Sequence, residues 1–187
     1  MGHLNSTFDA VILAGGAARR FGGSDKPGAL LQGRPLITWV ADAVADAGRL
    51  IVVGPPRAEL PTALTVREDP PGGGPVPALR AGLGLAKAGW TALLAADLPF
   101  LRASDIARLL AAAKPADGAV LVDGDGREQW LTGVWRTPVL RRALGAYQGA
   151  SLRGLLNPLD LVRVPVSGPW FDCDTLDDVT RAGKLLA

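Results

Sequence analysis

The stretch VILAGGAARRFGGSDKP, from Val11 to Pro27, decides our prediction of the fold. It begins with a short apolar run and continues, in what we call the opening loop (residues 14–27), with four glycines, two adjacent arginines and a lysine. Ligands of open α/β sheets bind beyond the carboxyl ends of the strands, where such a loop would leave the first strand. We therefore predict that the opening loop binds an anion at the edge of a parallel sheet.

The rest of the chain alternates short apolar runs with longer amphipathic stretches, a pattern typical of a mostly parallel sheet with helices on both faces. The predicted strands are DAVILAG, RLIVVG, ALTVRED, TALLAAD and DLVRVPV, together with a hairpin formed by GAVLVDGDG and WLTGVW. The predicted helices are PLITWVADAVADAG, which would end at Gly48, and ALRAGLGLAKAG, ASDIARLLAAAK, TPVLRRALGAY and DTLDDVTRAGKLLA. No internal repeat or interdomain linker is visible. We predict an α/β protein with a flexible tail over residues 1–8 and a single domain over residues 9–187.

Composition narrows the possible functions. The 187 residues are 48 % hydrophobic and 20 % charged, as in ordinary globular proteins. The net charge of +2 is spread along the chain, which argues against a nucleic-acid partner. We expect no membrane partner, because no apolar run approaches the roughly 18 residues that a span needs. No secretory signal is visible at the start, so we expect a cytoplasmic protein.

Cys173 is the only cysteine and His3 is the only histidine. A single cysteine excludes an internal disulfide and a multi-cysteine zinc site, and we expect Cys173 to be a small buried apolar residue. The position of His3 in the predicted tail argues against histidine-based triads and metal sites. The chemistry must therefore come from carboxylates, basic side chains and backbone groups.

Charge in the opening loop points to a nucleotide phosphate. The loop has neither G-x-x-x-x-G-K-[ST] nor G-x-G-x-x-G, but Arg20 and Lys26 can offset phosphate charge, and glycines allow backbone N–H groups to approach it. Asp97 follows a predicted strand at the same edge, and one carboxylate beside a triphosphate suffices to hold Mg²⁺. The alternatives are a solvated turn for the loop and a turn or helix-capping role for Asp97.

The segment LAGGAARRFGGSDK resembles the glycine-, arginine- and lysine-containing signature of the molybdenum cofactor guanylyltransferases and related nucleotidyltransferases. The resemblance continues through GRPLI, EDPPGGGPVPALRAGL, AADLPFL and DCDTLDDV. It implies a single-domain, Rossmann-like three-layer α/β/α sandwich of the nucleotide-diphosphosugar transferase type. It also implies transfer of GMP from GTP to molybdopterin carrying molybdenum, with release of pyrophosphate.

The resemblance further implies roles for single residues. Arg20, Lys26 and Asp97 would be catalytic, with Asp97 binding Mg²⁺ as the cofactor. The implied nucleotide contacts are Leu13, Ala14, Gly15, Gly16, Lys26, Asp69 and Asp97. GTP and the molybdopterin cofactor would be the substrates, and cofactor-delivery proteins or target molybdoenzymes would be transient partners.

Two departures from the family pattern concern the acceptor and the base. The family tends to show N-x-N-T-P-E-D near its end, whereas this chain has Asp172, Cys173 and Asp174 before Thr175. Either aspartate could add a metal ligand beside Asp97, while Asp174 could instead cap the last helix. Gly54 stands where the family can carry a polar nucleotide contact, which leaves guanine selectivity with less support.

Three hypotheses remain open at this stage. The first is the guanylyltransferase, and the second is a related nucleotidyltransferase that uses CTP or a sugar-phosphate acceptor. The third is a module that binds the nucleotide without turnover.

Arg141 and Arg142 could meet an anionic pterin tail or form a solvated helix face.

Overall fold

A computed structural model describes residues 7–15 and 25–186 of the chain. The strands are β1 (Phe8–Leu13), β2 (Leu30–Leu31), β3 (Arg34–Pro35), β4 (Leu50–Val53), β5 (Leu64–Val66), β6 (Trp90–Ala95), β7 (Gly118–Val122), β8 (Glu128–Arg136) and β9 (Leu161–Pro165). The helices are α1 (Leu36–Ala43), α2 (Pro75–Leu85), α3 (Ala103–Ala113), α4 (Thr137–Ala146), α5 (Leu152–Leu156) and α6 (Leu176–Leu186). Lys26–Gly28 form a turn of 3₁₀-helix. None of the helices in the described residues is long and apolar enough to cross a membrane.

The central sheet has seven strands in the order β5-β4-β1-β6-β8-β7-β9. All neighbours pair in parallel except at β8, which is antiparallel to both β6 and β7. This arrangement confirms the predicted mostly parallel sheet and the β7–β8 hairpin. Leu13 at the end of β1 pairs with both Val53 and Ala95, so β1, β4 and β6 end at the same level. The loops after these three strands therefore meet at one edge of the sheet.

Apolar residues cover both faces of this sheet, because strand side chains alternate between the faces. Ile12 of β1 joins one core cluster with residues of α1 and α3, whereas Val11 joins a second cluster with residues of α2, α4 and α5. The result is the predicted three-layer α/β/α sandwich. A third, smaller cluster packs α6 against β2 and the start of α1.

The end of helix α1 differs from the prediction. The helix was expected to continue to Gly48, but it ends at Ala43. Val44 N–H donates to the carbonyl of Ala41, and Ala47 N–H donates to that of Val44, so tighter i to i+3 turns replace the helix. This lets Gly48 N–H donate to the carbonyl of Phe8 and brings the chain onto the sheet at β4. The short helix α5 was not predicted from the sequence either, because five residues are too few to show a helical period.

Helix α2 lies close to the sheet at Gly82, which gives a test of the packing. A Cβ at Gly82 would lie 2.6 Å from Val11 Cγ1 and 2.8 Å from Val53 Cγ2, whereas a Cβ at Gly84 would meet nothing within 4 Å. We expect Gly82→Ala to reduce the free energy of unfolding by about 1–3 kcal/mol through overpacking. Gly84→Ala, the matched control, should raise it by up to about 1 kcal/mol through helix propensity.

Urea unfolding of both variants measures these differences. Equal stability of the two variants would show that α2 is not packed as closely on β1 and β4 as the structure has it.

Candidate functional site

The backbone after β1 packs tightly against the backbone after β4. Ala14 N–H donates to the carbonyl of Val53 over 2.8 Å. Gly54 has φ +153°, and a Cβ built there would lie 3.0 Å from the carbonyl carbon and oxygen of Ala14 and 3.1 Å from Gly15 N. Any other residue at position 54 would therefore push the opening loop away from β4. The glycine that departs from the family pattern thus has a structural explanation in this chain.

Lys26 connects the opening loop to two carboxylates at the same edge of the sheet. Its Nζ donates to Asp174 Oδ1 over 2.6 Å and forms a second ion pair with Asp97 Oδ2. Asp97 lies two residues after the end of β6. Its backbone carbonyl accepts a hydrogen bond from Cys173 N–H over 3.1 Å. That bond lays residues 172–175, which we call the closing motif, alongside the end of β6. The fold thus brings together Lys26 and Asp174, which are 148 positions apart in the sequence.

Asp97, Asp172 and Asp174 form what we call the acidic cluster. Each offers a carboxylate oxygen, and these oxygens all lie within 4.8 Å of one another. The side chain of Asp97 is 12 % exposed, Asp174 is half-buried and Asp172 is exposed. Oxygen ligands in this number suit a hard divalent cation such as Mg²⁺, which takes one or two carboxylates and keeps several waters. The cluster therefore fits the metal implied by the family resemblance.

Electrostatics within the cluster are dominated by burial and by Lys26. Burial raises the pKa of Asp97 above its ordinary value, Lys26 opposes that rise, and the charges of Asp172 and Asp174 add to it. Burial alone would lower the pKa of Lys26, but hydrogen bonds to Asp174 and Asp97 outweigh it and raise that pKa. Lys26 is therefore an ammonium ion at neutral pH. Two of the three carboxyl groups, those of Asp97 and Asp174, pair with the single ammonium of Lys26, so the cluster can accept further positive charge.

Cys173, between the two aspartates of the closing motif, faces the opposite way. It is fully buried in the cluster that includes Leu31, Leu36 and Val179. Burial raises the pKa of its thiol to about 12, so the sulfur is neutral and is not a thiolate ligand at neutral pH. The structure thus supports the prediction of a buried apolar residue.

Asp69, the predicted nucleoside contact, lies on an exposed loop after β5. The neighbouring Glu68 is closer to the opening loop, because both of its carboxylate oxygens lie 3.7 Å from a Cβ built on Gly15. One of them also accepts a hydrogen bond from Gly72 N–H over 3.0 Å. Glu68 was not predicted as a site residue. Its only signal was its position beside Asp69.

The structure brings most of the predicted site residues to one edge. Leu13, Ala14 and Gly15 lie at the end of β1, and Lys26 lies with the acidic cluster. Gly16 and Arg20 lie outside the described residues, so their predicted roles stay predictions.

Arg141 has a structural role at the opposite edge of the sheet. Its Nη2 donates to the carbonyls of Leu83 and Ala86 at the end of α2, while Arg80 Nη2 donates to the carbonyl of Leu144 near the end of α4. Each arginine thus caps the helix on which the other stands. Because α2 begins at the carboxyl edge and runs back across the sheet, its last turn is far from Lys26. These contacts do not support a role for Arg141 in binding a pterin tail.

Comparisons with known proteins identify a family and relatives of the chain. Residues 10–164 match the family described as MobA-like NTP transferase domain. The chain is 38 % identical over 138 residues to the probable molybdenum cofactor guanylyltransferase of Deinococcus radiodurans, a match that covers 73 % of this chain and 71 % of that protein.

Solved structures share the fold. The molybdopterin-guanine dinucleotide biosynthesis protein A of Archaeoglobus fulgidus superposes with a TM-score of 0.72 at 19 % identity, covering 95 % of this chain and 98 % of that one. The 2-C-methyl-D-erythritol 4-phosphate cytidylyltransferase of Thermus thermophilus gives the same TM-score of 0.72, identity of 19 % and coverage of 95 % and 98 %. The family match over residues 10–164 and the similarity to the relative from Deinococcus radiodurans lead to one conclusion, with which the shared fold agrees: the chain belongs to the MobA-like NTP transferase domain family.

Proposed function

We propose that this protein transfers GMP from GTP to molybdopterin carrying molybdenum and releases pyrophosphate. The observation that carries the proposal is the meeting of Lys26 with the acidic cluster at the edge where the opening loop leaves β1. A triphosphate is stabilised by nearby cations, and Lys26 supplies one at this edge. The name of the relative from Deinococcus radiodurans supports the choice of guanylyl transfer to the molybdenum cofactor.

Mg²⁺ would be held by Asp97, with Asp172 or Asp174 as a second ligand. When bound, the ion would supply positive charge that offsets the phosphate oxygens. This assignment is supported by the mutual approach of the three carboxylates within 4.8 Å. The greater exposure of Asp172 and Asp174 leaves the side of the cluster away from Asp97 open to substrate.

The chain's own residues would bind and orient the nucleotide. Backbone groups of Leu13, Ala14, Gly15 and Gly16 would contact the base and phosphates, and Asp69 would contact the nucleoside. Lys26 would contact the phosphates with its ammonium group, and Arg20 would join it. Together the two cations would stabilise charge on the phosphoryl oxygens and on the leaving pyrophosphate.

No strong general base is needed for this reaction. The nucleophile would be a phosphate oxygen of molybdopterin, which is already anionic at pH 7, and it would attack the α-phosphorus in line. Positioning and electrostatic stabilisation would therefore account for catalysis. This agrees with a chain whose only histidine is His3.

A related transferase that uses CTP or a sugar-phosphate acceptor is the second candidate. One observation favours it: the closing motif has Asp172 and Asp174 where the guanylyltransferases tend to have asparagines, and either aspartate lies close enough to Asp97 to share a cation with it. The fold shared with the cytidylyltransferase of Thermus thermophilus is compatible with it but does not choose the base. A module that binds nucleotide without turnover is the third candidate, and it would release no pyrophosphate.

Base preference separates the first two candidates. We expect GTP with Mg²⁺ to raise the midpoint of thermal unfolding, and ATP, UTP and CTP to do so much less. Ligand at about 100 times its dissociation constant adds about 2.7 kcal/mol, on the order of 5–10 °C for a chain of this size. The control is the same titration with EDTA in place of Mg²⁺. A larger shift with CTP would favour the second candidate, and no shift with any nucleotide would contradict nucleotide binding itself.

A further inference from the structure

Asp25 and Arg57 join the end of the opening loop to the loop that follows β4. Arg57 Nη2 donates to Asp25 Oδ1 over 2.6 Å, and Nη1 donates to Oδ2, so both terminal nitrogens face the carboxylate. The Arg57 side chain is only 7 % exposed. The hydrogen bond from Arg57 lowers the pKa of Asp25, and the same bond raises the pKa of Arg57, so both groups are charged at neutral pH.

The backbone around this pair is shaped to hold it. Asp25 precedes the 3₁₀ turn, and its carbonyl accepts a hydrogen bond from Gly28 N–H over 3.1 Å. Pro27 fixes one dihedral angle of the turn. A Cβ at Gly28 would collide with the Asp25 carboxylate and would lie 3.4 Å from Arg57 Nη1. The side chains of Asp25 and Arg57 therefore lie directly against the turn that carries Lys26.

Lys26 directly follows Asp25 in the chain, and its own side chain contacts the acidic cluster. A lysine stem has four flexible carbons, so the location of its ammonium depends on how firmly its backbone is held. Exposed ion pairs contribute little to stability. This pair is different, because its arginine is almost completely buried and its two bonds fix the orientation of the carboxylate.

We propose that the Asp25–Arg57 pair is a positioning device for Lys26. It ties the end of the opening loop to the loop after β4 and so holds the Lys26 ammonium beside Asp97 and Asp174, where the phosphates would bind. Neither residue has to touch the substrate, so they are positioning residues and not catalytic ones. The proposal rests on the proposed function of Lys26 in nucleotidyl transfer.

The first measurement needs no substrate. Acetylation of the folded protein by acetic anhydride, followed by mass spectrometry, gives the reactivity of Lys26 relative to Lys87 and Lys114. We expect Asp25→Asn and Arg57→Gln to increase the relative reactivity of Lys26 several-fold, because an ammonium held in ion pairs is protected from acylation. Asp42→Asn is the control, since it removes an exposed Arg–Asp pair, in which the side chains of Arg34 and Asp42 are 45 % and 67 % exposed.

The second measurement is a double-mutant cycle on pyrophosphate release from GTP with Mg²⁺ and with molybdopterin carrying molybdenum as the acceptor. We expect Arg57→Gln to lower kcat about 10- to 100-fold in the native background, because small displacements of a catalytic group have effects of this size. It should have almost no effect in the Lys26→Ala background, since the residue through which it acts is gone. Asp25→Asn should behave in the same way, and Arg57→Lys should recover part of the loss.

The outcomes are distinguishable. Unchanged Lys26 reactivity in both variants, or equal effects of Arg57→Gln in the two backgrounds, would overturn the positioning role. If the native protein does not turn over GTP, the proposed function fails, but the acetylation experiment still decides whether the pair holds Lys26. Asp25→Asn guards against a folding defect, because Asp25 is 55 % exposed and asparagine has the same shape.

Discussion

Replacing Lys26 with alanine is expected to lower the turnover of GTP by about 10²-fold or more while leaving the fold intact. The reason is that Lys26 is the cation that the structure places between Asp97 and Asp174, where phosphates would bind. Pyrophosphate release measures the loss. Lys26→Met keeps most of the apolar stem, so an equal loss in that variant would assign the effect to the ammonium group.

Lys114→Ala is the control, because it removes a lysine that lies outside the candidate site, at the end of α3. Circular dichroism should show the same helix content in all three variants. If Lys26→Ala turns over GTP at the native rate, Lys26 has no part in the mechanism, and its ion pairs serve only to neutralise the acidic cluster.

Replacing Asp97 with asparagine is expected to have the largest effect, a loss of catalysis of roughly 10³-fold, together with loss of the Mg²⁺ dependence of GTP binding. Asparagine keeps the shape of the side chain but removes the most buried carboxylate of the acidic cluster. Its backbone carbonyl can still accept the hydrogen bond from Cys173 N–H, so the closing motif should stay in place. Calorimetric titration of GTP with and without Mg²⁺ measures binding, and pyrophosphate release measures turnover.

Asp172→Asn and Asp174→Asn are the comparison variants. We expect each to change the use of metal or acceptor while retaining more activity than Asp97→Asn, because these side chains are more exposed. Survival of both Mg²⁺-dependent binding and rate in Asp97→Asn would reduce Asp97 to a structural residue. Unchanged kinetics in Asp172→Asn and Asp174→Asn would make the closing motif structural.

Most of the fold was predictable because its signals are local. Buried parallel strands leave unbroken apolar runs, and the opening loop marks the end of β1 by its glycines. The end of α1 was not predictable, because residues 44–47 keep a helical composition and are turned aside only by the pairing of Gly48 with Phe8. Tertiary contact there overrides propensity.

The meeting of Lys26 with Asp97 at one edge of the sheet could be expected from the sequence, but the other contacts there could not. Strand-end position and the family signature singled out Lys26 and Asp97, yet nothing in the sequence indicates that the ammonium also reaches Asp174. Arg57 was missed entirely, because it follows two prolines in a loop and its partner Asp25 is 32 residues away. Such pairs arise from the way loops meet in space, for which the chain offers no periodic pattern.

The antiparallel strand β8 has a consequence for how the molecule can move. Its pairing with β6 is the seam that joins the first four strands of the sheet to the last three, and the buried hydroxyls of Thr91 and Thr137 share a hydrogen bond of 2.8 Å beside it. Arg80 and Arg141 fasten α2 to α4 across the same seam. We expect a sheet joined in this way to unfold as one cooperative unit. If the proposed function holds, we expect the adjustments that admit and release substrates to take place outside this sheet.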